Sequence, residues 1–289
     1  MRPAFVQENI SLAKYTSNRT GGTARFFAEP TTEEEVLALF AWINEEQLSW
    51  FPLGGGANTL VCSDGFDGVI IHLAMNSLEI QGTTVIAEAG LQWPVVGLKA
   101  SKAGLTGLEF ATVIPGSVGG AIYGNAGAYE QETKDSLVSV RYLDVETGDI
   151  VERSAEELDF RYRHSAFKEH NWLILSATFE LKEDEQLDID ARIAEYRAHR
   201  ESTQPLSQPS TGCVFKNPPG NFAGKLIEQA GLKGYRVGDA MVSDVHANFI
   251  VNLGEATAED VKAVREHVKT TVFEQFEVQL EEENILLGE

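Results

Sequence analysis

Cys213 stands in Ser-Thr-Gly-Cys-Val-Phe-Lys-Asn-Pro (Ser210–Pro218), directly after a glycine and three residues ahead of a cation. A cysteine so placed has three chemistries open to it: a small apolar filler, a metal or disulfide partner, or a group that moves a proton. The chain has two cysteines, Cys62 and Cys213, too few for a disulfide framework and without zinc-site spacing. Cys62 lies in a strand-like stretch and reads as a small buried residue. From Cys213 to Arg236 run Lys216, Lys225, Lys233 and Arg236 against a single acid, Glu228, a local net charge of +3. The whole chain carries 44 acidic against 23 basic residues, a formal net of −21. Such a field argues against nucleic acid or an anionic membrane as the main partner, and leaves room for a small anion at a local cationic cluster.

Two glycine-rich stretches offer backbone to such an anion. Gly54–Val61, Gly-Gly-Gly-Ala-Asn-Thr-Leu-Val, lies between two expected strands. It matches neither the dinucleotide fingerprint nor a P-loop, so a phosphate cradle and a tight strand connection both remain open. Gly107–Tyr129 is richer still, with six glycines and with Pro115 and Asn125 set among them. Each glycine costs roughly 1 kcal/mol of chain entropy relative to alanine, so the density favours a large phosphate-bearing ligand that needs bare backbone. Tyr162 and Arg163 follow in Phe160–Lys168, where an arginine beside a tyrosine can clamp a carboxylate.

The elements that must position these groups are short and mixed. Thr32 and Glu35 have capping-box spacing ahead of a helix to Gln47. Hairpins are expected around Gly82-Thr83 and Thr147-Gly148-Asp149. Pro94 and Gly104 bracket a helix, and a further helix carries Ile189–Ser202. A Pro- and Ser-rich linker follows at Thr203–Gly212, then a helix at Ala223–Gly231 and a long one from Thr257 to about Phe276. Hairpins interleaved with helices, without regular βαβ alternation, predict an α+β fold. The first 22 residues lack an apolar core, and no apolar run approaches bilayer length, which predicts a reduced cytoplasmic setting.

Six stretches in this order, Gly54–Val61, Gly107–Tyr129, Tyr162–Phe167, Gly212–Pro218, Ala223–Gly234 and His246–Asn252, resemble the UDP-N-acetylenolpyruvoylglucosamine reductases, over about Thr20 to Gly288. The short span between Lys168 and Gly212 is similar to the compact subgroup of that family. The resemblance implies a two-part FAD-binding region of the vanillyl-alcohol-oxidase/PCMH type and a separate α+β substrate domain. It places the first part at residues 1–72 with 278–289, the second at 73–202 and the substrate domain at 203–277. It implies non-covalent FAD contacts at Gly54, Gly55, Gly56, Ala57, Asn58, Thr59, Pro115, Gly116, Ser117, Gly119, Gly120, Asn125, Gly127 and Ala128. Substrate contacts fall on Tyr162, Lys216, Asn217, Lys225 and Lys233. Arg163 falls on the catalytic arginine, Glu283 on the catalytic glutamate, and Cys213 on a proton donor that is more often serine.

The implied activity is reduction of UDP-N-acetylglucosamine enolpyruvate to UDP-N-acetylmuramate with NADPH as co-substrate, a step of peptidoglycan precursor synthesis, without a metal or an obligate protein partner. Hydride would reach C3 of the enolpyruvyl group, and Cys213 would protonate C2. A thiol's reference pKa of about 8.5 suits that task. Two departures stand out: Glu-Glu-Glu-Asn-Ile-Leu-Leu (Glu281–Leu287) lacks the proline and Val-Arg of the family's terminal motif, so Glu281 and Glu282 compete with Glu283, and Ala57 replaces a common serine. Competing readings are an oxidase carrying FAD covalently on histidine, and a binding module that has lost catalysis.

Overall fold

The computed structural model describes residues 1–288. Glu289, the last residue of the segment 278–289 singled out above, lies outside them. The chain forms two compact units, one of Met1–Gln7, Phe27–Gly55 and Val69–Arg200, the other of Glu8–Phe26, Gly56–Gly68 and the chain from Glu201 on. The mixed α+β class expected from the sequence is the class found.

The first unit is built on a five-stranded antiparallel sheet in the spatial order Ile150–Ser154, Leu137–Asp144, Trp172–Glu180, Thr84–Glu88, Leu78–Gln81. Both expected hairpins are present, with Gln81 opposite Thr84 and Leu143 opposite Ile150. The inward faces bury Trp93, Phe110, Tyr142 and Phe179 completely, with the Trp93 and Phe179 rings 5.5 Å apart. Large aromatic side chains of this kind supply most of a core's burial energy. Trp93–Lys102 is helical with Pro94 in its first turn. The Glu33–Glu45 helix shows half of the expected box: Thr32 Oγ1 accepts from Glu35 N at 3.2 Å, while the Glu35 carboxylate turns one residue back, to Thr31 N and Oγ1.

The Gln186–Thr203 helix buries only Ile189 along its length, so polar anchors hold it. Arg192 reaches Glu109, which is 1% exposed, at 2.9 Å, and Asp184 at 2.6 Å. Burial pushes the Glu109 carboxyl up, but donation from Thr106, Gly107 N and Arg192 outweighs it and holds the group below the ordinary carboxylate range. A carboxyl lowered on folding contributes stability above its unfolded value and loses it as pH falls through the folded one. Glu109→Gln is therefore expected to cost about 3 kcal/mol in urea unfolding at pH 7, the lower part of the range for breaking a buried pair because Arg192 is partly exposed. The gap to the parent protein should narrow in the acidic range; a gap unchanged down to acid pH would mean that charge is not what Glu109 contributes.

In the second unit the Ala258–Phe276 helix, capped by Thr257 and Asp260 in a reciprocal box, packs on a four-stranded antiparallel sheet. That sheet runs Ser210–Cys213, Phe249–Asn252, Ala240–Val242, Arg236–Val237. Val261, Val264, Val268 and Val272 face Val242, Ile250 and Leu226 in the core between them. The chain's last strand, Ile285–Leu287, lies parallel to Thr59–Val61 with Ile285 opposite Thr59. Cys62 is buried beyond the end of that pair, its N–H donating to Leu287 O at 2.8 Å.

Candidate active-site segments

Within the first unit the two glycine stretches touch. A Cβ at Gly55 would lie 2.9 Å from Gly116 Cα, and one at Gly54 would collide with Ser117 Oγ. Only residues without side chains let these backbones approach so closely. The second stretch is less of a loop than its composition suggests. Val118–Tyr123 is a short helix whose cap, Ser117 Oγ, accepts from Gly120 N at 3.2 Å. The segment is fixed by Trp93 N donating to Gly116 O, Val118 N to Leu91 O and Gly119 N to Ala89 O, each at 2.9 Å. Gly127–Ala128 pairs with Gln131–Glu132 across a turn in which Tyr129 and Glu130 both adopt positive φ, 56° and 62°.

Arg163 sits at the tip of a two-residue hairpin closed by Arg161 and His164, whose N–H groups donate to each other's carbonyls at 3.1 and 3.0 Å. Its φ of 55° is left-handed. For a residue with a Cβ this costs on the order of 1–2 kcal/mol and persists where the surroundings over-determine it. The guanidinium lies against the Tyr162 ring, 5.3 Å from its centroid, and Nη1 donates to Gly127 O at 3.5 Å. Tyr162 itself is exposed. Asp159, His164 and Glu169 on the same turn are close enough to share a cation. The Arg161 guanidinium occupies that role, 2.7 Å from Asp159 and 2.9 Å from His164 Nε2.

Within the second unit the strand around Cys213 runs alongside the acidic C-terminal segment. Lys216 N donates to Glu281 O and Glu283 N to Val214 O, each at 2.8 Å, with Phe215 opposite Glu282 between them. Cys213 is half-buried and follows Gly212, whose φ of 74° accompanies a break in register between Ser210 and Cys213 against the neighbouring strand. The three consecutive glutamates are sorted by their surroundings. Glu281 pairs with Lys216. Glu282 meets the buried Arg265 at 2.6 Å and Lys269 at 3.1 Å. Glu283 is held by its backbone: besides the Val214 contact, its carbonyl accepts from Asn58 Nδ2 at 3.0 Å.

Asn284 is the organising residue that sequence reasoning missed. It is 8% exposed, and its Nδ2 lies 2.6 Å from Asn58 Oδ1 and 3.1 Å from both Thr211 O and Cys213 O. One amide thus joins the first glycine stretch, the cysteine strand and the C-terminal segment. A polar residue adjoining the apolar run Ile285–Leu287 was its only signal. Asn248 acts similarly on Phe215, its side chain bonding both N and O of that residue. His246 accepts from Asn248 N at 3.2 Å, and burial, then the nearby Lys233 charge, lower its pKa.

The cationic cluster is largely countered by acids beyond its own window. Lys216 pairs with Glu281, Arg236 with Asp239, and Lys233 with Glu228 at 2.7 Å. Lys225 is exposed on the Ala223–Gln229 helix. Asn217 Oδ1 accepts Ala223 N at 3.1 Å and so caps the start of that helix.

Comparison with known proteins agrees with this arrangement. Residues 24–154 match an FAD binding domain, and residues 204–287 match the C-terminal domain of UDP-N-acetylenolpyruvoylglucosamine reductase. The UDP-N-acetylenolpyruvoylglucosamine reductase of Caldicellulosiruptor saccharolyticus is 44% identical over 281 residues, 96% of this chain and 90% of that protein. That of Latilactobacillus sakei is 43% identical over 284 residues, 98% and 93% respectively. The crystal structure of the Thermus caldophilus reductase superposes with a TM-score of 0.85 at 36% identity, covering 98% of this chain and all of that one. The chain therefore belongs to the UDP-N-acetylenolpyruvoylglucosamine reductase family and is an FAD-binding oxidoreductase.

Proposed function

We propose that this protein reduces UDP-N-acetylglucosamine enolpyruvate to UDP-N-acetylmuramate at the expense of NADPH, in the cytoplasmic synthesis of peptidoglycan precursors. The observation that carries the proposal is the strand pairing of Cys213–Lys216 with Glu281–Asn284, which sets a thiol and a carboxylate on adjoining strands beside a cation. Among the described residues no helix is long and apolar enough to cross a membrane, and both cysteines are thiols.

Non-covalent FAD fits the residues present. Gly54, Gly55 and Gly116 leave backbone bare of side chains where the two stretches abut beside Ser117, and a Cβ at Gly116 would meet open space. Gly56, Ala57, Asn58, Thr59, Pro115, Gly119, Gly120, Gly127 and Ala128 are further assigned contacts. Bound there, FAD supplies hydride transfer between NADPH and the enolpyruvyl group. The chain's own residues do the rest. Arg163 holds the substrate carboxylate and stabilises the negative charge that grows on it as C3 gains hydride. Cys213 gives its proton to C2. Glu283 assists in protonated form or by fixing a donor, since a bare carboxylate would repel the developing charge.

Lys216, Asn217, Lys225 and Lys233, with Tyr162, are assigned to the UDP-sugar. Partly exposed ion pairs such as Lys216–Glu281 and Lys233–Glu228 are worth about 0–1 kcal/mol, so a diphosphate can displace the glutamates at small cost. The division into parts 1–72 with 278–289, 73–202 and 203–277 is supported by the pairing of Ile285–Leu287 with Thr59–Val61, which ties the C-terminal end to the first glycine stretch.

The test is consumption of NADPH followed by absorbance. It should depend on added UDP-N-acetylglucosamine enolpyruvate, and acid-precipitated protein should release yellow FAD. Substrate-independent oxidation, or colour that stays on the protein, would overturn the proposal.

A further inference from the structure

We propose that Asn125 is a positioning residue for Arg163 and not, as the family resemblance implies, a contact to the cofactor. The inference rests on the assignment of Arg163 to the substrate made above. Asn125 is fully buried, and a primary amide has two donors. Both are committed within the protein: Nδ2 donates to Glu132 Oε2 and to Arg161 O, each at 3.0 Å. Its Oδ1 accepts from Lys134 N at 3.1 Å. What remains is acceptor capacity, which a phosphate cannot use. The carbonyl it holds belongs to the closing residue of the hairpin that carries Arg163, where it also accepts from His164 N.

Two further bonds fix the same turn. Lys168 Nζ donates to Arg163 O at 2.8 Å, and the buried Ser165 donates through Oγ to Tyr123 O at 2.8 Å. Arg163, Asn125, Tyr129, Glu130 and Asp159 make up five of the nine non-glycine residues with positive φ among the described residues. Strain concentrated in one region requires restraint there. The Tyr129–Glu130 turn is restrained separately, by the Tyr129 ring stacked 4.0 Å from that of Tyr196 and by its hydroxyl donating to Tyr196 O. The Asn125 side chain bonds to both the Gln131–Glu132 strand and the Arg163 hairpin. Its own φ of 43° explains why asparagine is suited to the position.

The experiment uses the FAD-loaded enzyme. Asn125→Asp keeps the shape, the acceptor and tolerance of positive φ, and removes both donated bonds. Lys168→Met, on a partly exposed short turn, loosens the hairpin from its other side without opening the core. Both should retain FAD content, the flavin spectrum and the rate of flavin bleaching by NADPH within about twofold. Both should lower kcat for the enolpyruvyl substrate by about 10- to 100-fold, the scale of a misplaced positioning group. Equilibrium binding of substrate to the oxidised enzyme should weaken as well. In an Arg163→Ala background either substitution should add little, since the group it positions is gone.

Loss of FAD from Asn125→Asp would return Asn125 to the cofactor and overturn the inference. So would normal turnover by the variants while Arg163→Ala is inactive, or losses that add in full to that of Arg163→Ala. Should Asn125→Asp fail to fold, the Lys168→Met cycle with Arg163→Ala decides between the same outcomes. Normal turnover by Arg163→Ala itself would instead remove the assignment of Arg163.

Discussion

Cys213→Ala is expected to bleach its flavin with NADPH as fast as the parent enzyme and to turn over the enolpyruvyl substrate about 10²- to 10⁴-fold more slowly, the usual contribution of a positioned proton donor. The separation follows from what the side chain does and does not hold. The position of Cys213 is set by backbone: its carbonyl receives the Asn284 amide, and its strand is paired on both sides, to Phe249 and to the Glu281–Asn284 segment. Removing a half-buried sulfur leaves all of this in place, so the protein should fold and keep its cofactor. The expected loss is the proton that C2 must gain. Cys213→Ser should recover most of the turnover, because a hydroxyl in the same place can donate. It should also abolish inactivation by alkylating agents and peroxide, to which a thiol is open and an alcohol is not. Stopped-flow absorbance separates the two half-reactions. Alanine turning over near the parent rate would remove Cys213 as the acid.

The sequence made the class of fold and the candidate residues legible where the signal is local. Turn residues placed both hairpins of the first unit, and the long helix expected from Thr257 to about Phe276 is found at Ala258–Phe276. The glycine stretches were visible by composition, but the six-residue helix Val118–Tyr123 inside the second was not, because its own glycines hide the helical pattern. The cationic cluster was counted correctly, yet the partners that counter it lie elsewhere: Glu281 is 65 residues from Lys216 and Asp239 falls just past the window. The same long range concealed Asn284, whose importance arises only when Asn58, Thr211 and Cys213 are folded around it. It also left the three glutamates equivalent. Arg265, on the preceding helix, and Lys216 distinguish them by engaging Glu282 and Glu281. Short-range chemistry can be read from spacing; which charge meets which is decided by tertiary pairing.

Arg163→Ala should lower kcat by about 10²- to 10³-fold, as loss of a donor to a developing oxyanion does elsewhere, with a smaller rise in KM. The asymmetry is the informative part. The substrate carboxylate is charged before and during reaction, so part of the arginine's attraction is uniform binding and appears in KM. The charge that spreads onto the carboxylate when C3 gains hydride exists only on the way to the transition state, and its stabilisation appears in kcat. Arg163→Lys should recover part of the binding and little of kcat, because an ammonium is a point charge that cannot match both carboxylate oxygens. Backbone strain does not confound the comparison. Alanine, lysine and arginine all carry a Cβ, so each meets the same left-handed cost at φ 55°, and the hairpin bonds of Asn125 and Lys168 go to main-chain carbonyls that every variant keeps. Flavin bleaching by NADPH should be unchanged in both variants. An alanine variant whose whole loss lies in KM, with kcat preserved, would make Arg163 a binding residue and require another source for the stabilisation of the carboxylate during hydride addition.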